Sequence, residues 1–257
     1  MIGFCPLASG SKGNAIFLGT KQTRILIDAG ISGASLEKRL AAIDVDLKTI
    51  VAILVTHEHV DHIQGLGVLA DKLNIPVFAN AETAKGICAA LRIRPRFKIF
   101  TTDEPFEFEG LKVHPFSVPH DTLDPVAFTI WADSLKLGFC TDLGYATSLV
   151  KKMLGGCDYL YLEANHQPSM VHASHRPLIY KQRVLSKQGH LSNGDSAALL
   201  ASIFHPGLKH VHLAHLSSEC NAPEVALKVV KECLAERSQS VDLAIASQHQ
   251  VSKPILF

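Results

Sequence analysis

The chain has 257 residues, 47% of them hydrophobic, and a formal net charge of +1. That length carries a full core as one large α/β domain or two small ones, and the near-neutral balance excludes a global polyanion-binding signature. Six scattered cysteines without a CxxC pair disfavour a zinc–cysteine site and read as reduced thiols of a cytoplasmic protein. The first residues lack a basic, then apolar, leader. No apolar run of about 18 residues predicts a membrane span.

In chain order, residues 2–8 and 15–18 read as strands flanking Ser9-Gly10-Ser11-Lys12-Gly13-Asn14. This Gly-rich loop is a hairpin turn by preference, and alternatively a nest of N–H groups for an anion. Arg24-Ile25-Leu26-Ile27 is a strand ending in Asp28, either a turn former or a carboxylate that orients a histidine. A short amphipathic helix spans Ser35 to Ala42. The run Ile50 to Val55 then reads as a buried strand leading into Thr56-His57-Glu58-His59-Val60-Asp61-His62. His57 and His59 point the same way from an extended segment. Asp61 and His62 are adjacent and diverge at the start of a helix carrying Ile63, Leu66, Val68, Leu69 and Leu73. The spacing suits two metal ions better than one. Strand ends are where α/β proteins place their chemistry.

A strand at Pro76–Ala79 and a helix from Ala81 to Leu91 follow. Arg92, Arg94, Arg96 and Lys98 then alternate with apolar residues. Pro95 argues for an edge or irregular segment there; a solvated strand face is the preferred reading and a phosphate-backbone rail the functional one. Phe106 to Phe116 is a hairpin turning at Glu109-Gly110, running on to His120. Strands at 126–131 and 135–140 lead to Asp142, which can bridge two metals through its two oxygens, and a helix covers Ala146 to Leu154. Tyr159-Leu160-Tyr161-Leu162-Glu163-Ala164-Asn165-His166 is another strand ending in polar groups. Between Glu163 and Asp195 there is no acidic residue but four cations and four histidines, including His190. This basic insertion, at about 166–193, suits an anionic substrate or is simply solvated. A helix from Asp195 to Phe204, a strand from His210 to His215, a helix from Pro223 to Glu236 and a last strand at 241–246 complete the chain. His215 is the ligand candidate there; His212 is packed or supports a ligand. No repeat, low-complexity tract or linker interrupts the pattern, which predicts one domain, 1–257, with two sheets inside and helices outside.

THEHVDH resembles the HxHxDH signature of the metallo-β-lactamase superfamily. Asp28 in Ile-Asp-Ala-Gly, then His120, Asp142 and His215, follow the same chain order. SGSKGN, TDLGYAT, LEANH, GHLSN and HLAHLSSECN are similar to its YycJ/WalJ-like exonuclease group, with Gln167 where that group has Asp. The resemblance implies an α+β, αββα sandwich, with two mixed β-sheets packed face to face and helices outside. It implies two divalent ions per chain, Zn²⁺ or Mn²⁺. One is held by His57, His59 and His120 and the other by Asp61, His62 and His215, with Asp142 bridging. A bridging water of lowered pKa then attacks phosphorus. Asp61 and His190 are the candidate catalytic residues. Asn165, His166 and His190, with Ser11, Lys12 and Asn14, are the candidate substrate-binding residues. Asp28 and His212 are the candidates for orienting ligands. The expected activity is a dinuclear metal-dependent phosphodiesterase, a 5′–3′ DNA exonuclease acting on single-stranded or 5′-ended DNA, with RNA also possible. Alternatives are a glyoxalase II- or lactonase-like ester hydrolase, and a non-catalytic metal-stabilised nucleic-acid-binding protein. The sequence sets no oligomeric state.

Overall fold

A computed structural model describes residues 1–257. In chain order the first half comprises β1 (Gly3–Ala8), β2 (Ala15–Gly19), β3 (Arg24–Ile27), α1 (Gly33–Ala41), β4 (Ala52–Leu54), α2 (Val60–Ile63), α3 (Leu66–Leu69), β5 (Val77–Ala79), α4 (Ala81–Leu91), β6 (Phe97–Ile99) and β7 (Phe106–Phe108). The rest comprises β8 (Leu111–Ser117), β9 (Val126–Ala132), β10 (Leu135–Cys140), α5 (Ser148–Leu154), β11 (Tyr159–Glu163), α6 (Pro168–Ala173), α7 (Leu178–Val184), α8 (Asn193–Ile203), β12 (His210–Ala214), α9 (Pro223–Ala235), β13 (Asp242–Ile245) and β14 (Ile255–Leu256). The strands form two seven-stranded sheets, β14-β1-β2-β3-β4-β5-β6 and β13-β12-β11-β10-β9-β8-β7. Both are mixed: β1–β3 pair antiparallel and β3–β6 parallel, while β9–β10 is antiparallel and β10–β13 parallel. This is the two-sheet α+β arrangement the motif resemblance predicts.

The chain divides into two compact units. One comprises Met1–Lys112, Thr122–Val126 and Ala246–Phe257, the other Val113–Asp121 and Ala127–Ile245. In the first, Leu26, Ile53 and Val77 of the sheet pack with Leu36 and Leu40 of α1, Leu66 and Leu69 of α3 and Ile87 of α4. In the second, Leu160, Leu162, Val211 and Leu213 pack with helix residues including Val150, Leu199, Leu200 and Val230. The helix starts follow from side-chain caps. Asn80 accepts from Thr83 N at 2.9 Å, Thr147 from Val150 N at 3.1 Å and Ser192 from Asp195 N at 3.1 Å.

Two expectations need correction. The helix after His62 is two short pieces. Asp61 O accepts from Asn14 N (2.7 Å) and Gly65 N donates to Ala29 O (2.7 Å), so the i→i−4 bond that would join the pieces is diverted. The extended segment from 92 is a strand only over Phe97–Ile99, because Arg92 caps α4 in the left-handed region (φ 55°). The basic insertion, to which sequence reasoning assigns no secondary structure, is helical, forming α6 and α7. A terminal strand unforeseen in the sequence, β14, pairs antiparallel with β1. No helix is long and apolar enough to cross a membrane.

Candidate active site

The site residues of the first unit grow from the ends of β3 and β4, which pair in parallel with Ile27 opposite Leu54. Their C-terminal ends therefore lie side by side. Asp28, just past β3, adopts φ 58°, an uncommon conformation for a residue with a side chain. It is held there by the bond from its N–H to Leu54 O (2.8 Å). This fixes the carboxylate among three donors. Oδ1 accepts from Thr56 N at 2.8 Å, Oδ2 accepts from Thr56 Oγ1 at 2.9 Å, and His62 Nδ1 lies 2.8 Å from Oδ2. Since the carboxylate only accepts, His62 carries its proton on Nδ1 and presents Nε2. Thr56 Oγ1, having donated to Asp28, faces His57 Nδ1 at 3.0 Å and sets His57 to the same tautomer. His57 Nε2 then lies 3.2 Å from His59 Nδ1, two imidazole nitrogens turned towards one point.

Asp61 and His62 do not diverge, because both start a helical turn. Asp61 Oδ2 lies 3.7 Å from His62 Nε2. Asn14 joins this group: its Nδ2 is 3.0 Å from His62 Nε2 and 3.4 Å from Asp61 Oδ2, while its Oδ1 accepts from Gly10 N at 2.8 Å. The Gly-rich loop is thus a turn pinned by Asn14. Ser11 and Lys12 are exposed at its tip. Gly30 is required by close approach, since a Cβ there would stand 1.6 Å from Asp61 O.

In the second unit the strand ends are again the anchors. Asp142 follows β10 with φ 60° and His215 follows β12 with φ 54°. Such backbone costs about 1–3 kcal/mol and persists only where neighbours over-determine it. Asn165 Nδ2 supplies part of that constraint by donating to His215 O at 2.7 Å. Asp142 Oδ1 sits among three imidazoles, 3.3 Å from His215 Nδ1, 3.6 Å from His190 Nδ1 and 3.8 Å from His120 Nε2. Glu163, at the end of β11 and fully buried, organises this cluster. Its Oε1 lies 2.8 Å from His190 Nδ1 and 3.0 Å from His215 Nδ1, and its Oε2 accepts from Leu143 N (3.0 Å) and Leu191 N (3.2 Å). Burial by itself raises the Glu163 carboxyl. The charge and hydrogen bond of His190, then those of His215, outweigh it and hold the group below the ordinary carboxylate range. His120 donates from Nδ1 to Gly189 O at 3.1 Å and so presents Nε2. Burial, the largest influence on it, lowers its pKa and keeps the ring in the neutral, ligating form.

His166 is buried at the bridge to Ser192, and burial pulls its pKa down to about 4. His212 turns Nδ1 to His210 Nε2 (3.1 Å), and His210 in turn meets Asp242 (2.6 Å). Thr56 and Glu163 were assigned no role by sequence reasoning. The signal for Glu163 was present, because it stands at a strand end before polar residues like Asp28 and Asp142. Thr56 offered no such signal, since a hydroxyl before a histidine is commonplace.

A divalent ion fits these residues. Four imidazoles are each engaged through Nδ1, by Thr56, Asp28, Gly189 O and Glu163, which is how metal-ligating histidines are oriented. Asp142, Glu163, His190 and His215 also bring one potential ligand atom each within 4.8 Å of one another. The nitrogen and carboxylate donors suit zinc, manganese or a similar ion.

Residues 23–212 match the family model of the beta-lactamase superfamily domain. The chain is 36% identical over 240 residues to exodeoxyribonuclease YycJ of Bacillus anthracis, covering 93% of this chain and 91% of that one. It is 33% identical over 239 residues to exodeoxyribonuclease WalJ of Streptococcus pneumoniae serotype 2 strain D39, covering 91% and 89%. Among solved structures, the metallo-beta-lactamase fold protein YhfI of Bacillus subtilis superposes with a TM-score of 0.74 at 17% identity, over 97% of each chain. The chain belongs to the metallo-β-lactamase superfamily and, within it, is a YycJ/WalJ-like protein.

Proposed function

We propose that this protein is a metal-dependent exodeoxyribonuclease of the cytoplasm that shortens DNA from its 5′ end. The observation that carries this reading is the 36% identity, over nine-tenths of both chains, to a relative named as an exodeoxyribonuclease. The 5′ polarity and the preference for single-stranded or 5′-ended DNA rest on the motif resemblance. Following the family's ligand order, His57, His59 and His120 would hold one divalent ion and Asp61, His62 and His215 a second, with Asp142 serving both. When bound, such ions supply Lewis acidity at phosphorus and a water acidified towards neutrality.

The chain's own residues have separable tasks in this reading. Asp28, directly and through Thr56, keeps the protons of His62 and His57 on Nδ1. Glu163 does the same for His215, and it holds the Nδ1–H of His190, leaving that ring's Nε2 to move a proton. In hydrolysis the P–O3′ bond breaks. The departing nucleotide's 3′ oxygen takes a proton, which we assign to His190, and the phosphate stays on the 5′ end of the shortened strand. Asn165 and Asn14 act chiefly by bracing His215 and His62. His166 is buried next to Asn165, and Ser11 and Lys12 are exposed to meet a terminal phosphate.

The test compares wild type, His59→Ala and His190→Ala on labelled DNA and RNA strands, with and without a 5′ phosphate, in Mn²⁺ or Zn²⁺. Bound metal is measured in parallel. The expected result is stepwise loss from the 5′ end of DNA by wild type. His59→Ala loses metal and cleavage together, whereas His190→Ala keeps its metal and slows by about 10²-fold or more. Failure of wild type to cleave any strand with either ion would refute the reading.

A further inference from the structure

The second unit's basic insertion and the first unit's alternating cations differ in whether their charge is already engaged. In the insertion, Arg176 is paired with Glu219 and Arg183 with Asp121. Lys181 donates to His172 O at 2.7 Å, and Lys187 lies 5.8 Å from the ring centroid of Tyr145. Arg92, Arg94, Arg96 and Lys98, by contrast, are all exposed, and none is in an ion pair, while Pro95 is buried and Ile93 and Phe97 half-buried between them. No Asp or Glu occurs from Thr83 to Thr102.

Two of these cations, Arg92 and Arg94, line an open groove of about 760 Å³ between α4 and β6, and Arg96 follows on the same exposed segment. Cys88, Ile93 and Phe97 line its apolar part, and Lys85, Arg92 and Arg94 its charged part. Lys85 is held by Glu82 at 2.5 Å, so the two arginines carry the unneutralised charge. α4, which walls the groove, also touches the histidine turn of the same unit. α4 packs on that turn so closely that a Cβ at Gly86, beside Lys85, would stand 2.5 Å from Glu58 Cγ. Glu58 lies between His57 and His59.

Resting on the nuclease reading, we propose that this groove is a second contact site for single-stranded DNA. Arg92, Arg94 and Arg96 track the phosphates and a base lies against Phe97. Cationic borders beside an aromatic floor are the combination by which proteins hold single strands without reading sequence. Such a site lengthens the residence of a long strand between successive cleavages and contributes nothing to a substrate too short to reach it.

The test uses a 5′-phosphorylated, phosphorothioate-linked strand of about 30 nucleotides, long enough to span more than one contact site, bound to the metal-loaded protein across a salt series. The triple variant Arg92→Gln, Arg94→Gln, Arg96→Gln should bind about tenfold more weakly. Its slope of log K against log salt should fall by about 2, three contacts at roughly 0.7 each. Hydrolysis of a small chromogenic phosphodiester should be unchanged. The triple lysine variant should keep the slope, which a merely structural role for these residues does not predict. A strand carrying 5-iododeoxyuridine should photocrosslink to the peptide from Lys85 to Lys98. A triple glutamine variant with unchanged affinity and slope, or crosslinks confined to other peptides, overturns the groove and leaves the nuclease reading standing. A wild-type protein that binds no strand in a salt-sensitive way overturns both.

Discussion

Replacing Glu163 by glutamine removes one charge and exchanges one acceptor oxygen for a donor, at almost constant volume. In the native site Oε1 serves the Nδ1 atoms of His190 and His215, and Oε2 serves the N–H groups of Leu143 and Leu191. Glutamine satisfies only one of these pairs. If its oxygen meets the imidazoles, two buried N–H groups lose their acceptor, at about 1–3 kcal/mol each. If its NH₂ meets the imidazoles, two charge-assisted bonds of about 1.5–3 kcal/mol each are lost. The rings are then driven to carry their protons on Nε2, which removes the lone pair His215 needs as a ligand. Either arrangement costs at least about 2 kcal/mol, equivalent to a fall in Tm of about 4–8 °C or more for a chain of this size. Calorimetry of Glu163→Gln checks the stability, and chelator competition checks metal affinity, expected to drop by about 10–100-fold. A variant melting within about 2 °C of wild type, with unchanged metal affinity, would refute the role assigned to Glu163.

Asp28→Asn should likewise weaken metal binding by about 10–100-fold through the orientation of His62; unchanged affinity in a zinc competition assay would sink the relay through Asp28. Gly30→Ala places a methyl group 1.6 Å from Asp61 O and should cost about 3 kcal/mol or more, so a thermal melt superposable on wild type would contradict the close approach. Burial, reinforced by His210, lowers the His212 pKa from 6.5 to about 3. Above pH 6.5 neither folded nor unfolded chain protonates this ring and its full contribution is present. As pH falls towards 3, the unfolded chain binds the proton first and stability is lost, by about 2 kcal/mol between pH 7 and 5. Urea unfolding of His212→Leu at both pH values should show about that much less acid sensitivity, and an undiminished pH dependence would count against it.

The sequence made the strand-end design legible because each apolar strand stops abruptly at an ionisable residue. Asp28, His57, Asp142 and His215 could each be placed that way, and three of the four are where the backbone turns left-handed. Other features depended on partners remote in sequence. The break between α2 and α3 arises because Asn14 and Ala29 take the backbone bonds that would have joined them. Thr56 acquires its importance only from Asp28, 28 residues earlier. The cations of the basic insertion looked available until Glu219 and Asp121, outside it, were found to neutralise two of them. β14 escaped notice because a two-residue strand has no periodicity to read.

The most direct measurement is a time course of metal-stripped and metal-restored protein on one single-stranded DNA labelled separately at each end. With metal restored, the 5′ label should leave in small products at once while the 3′-labelled strand shortens progressively. The stripped protein should leave both intact. Progressive loss of the 3′ label first, or cleavage that does not depend on restored metal, would contradict the account.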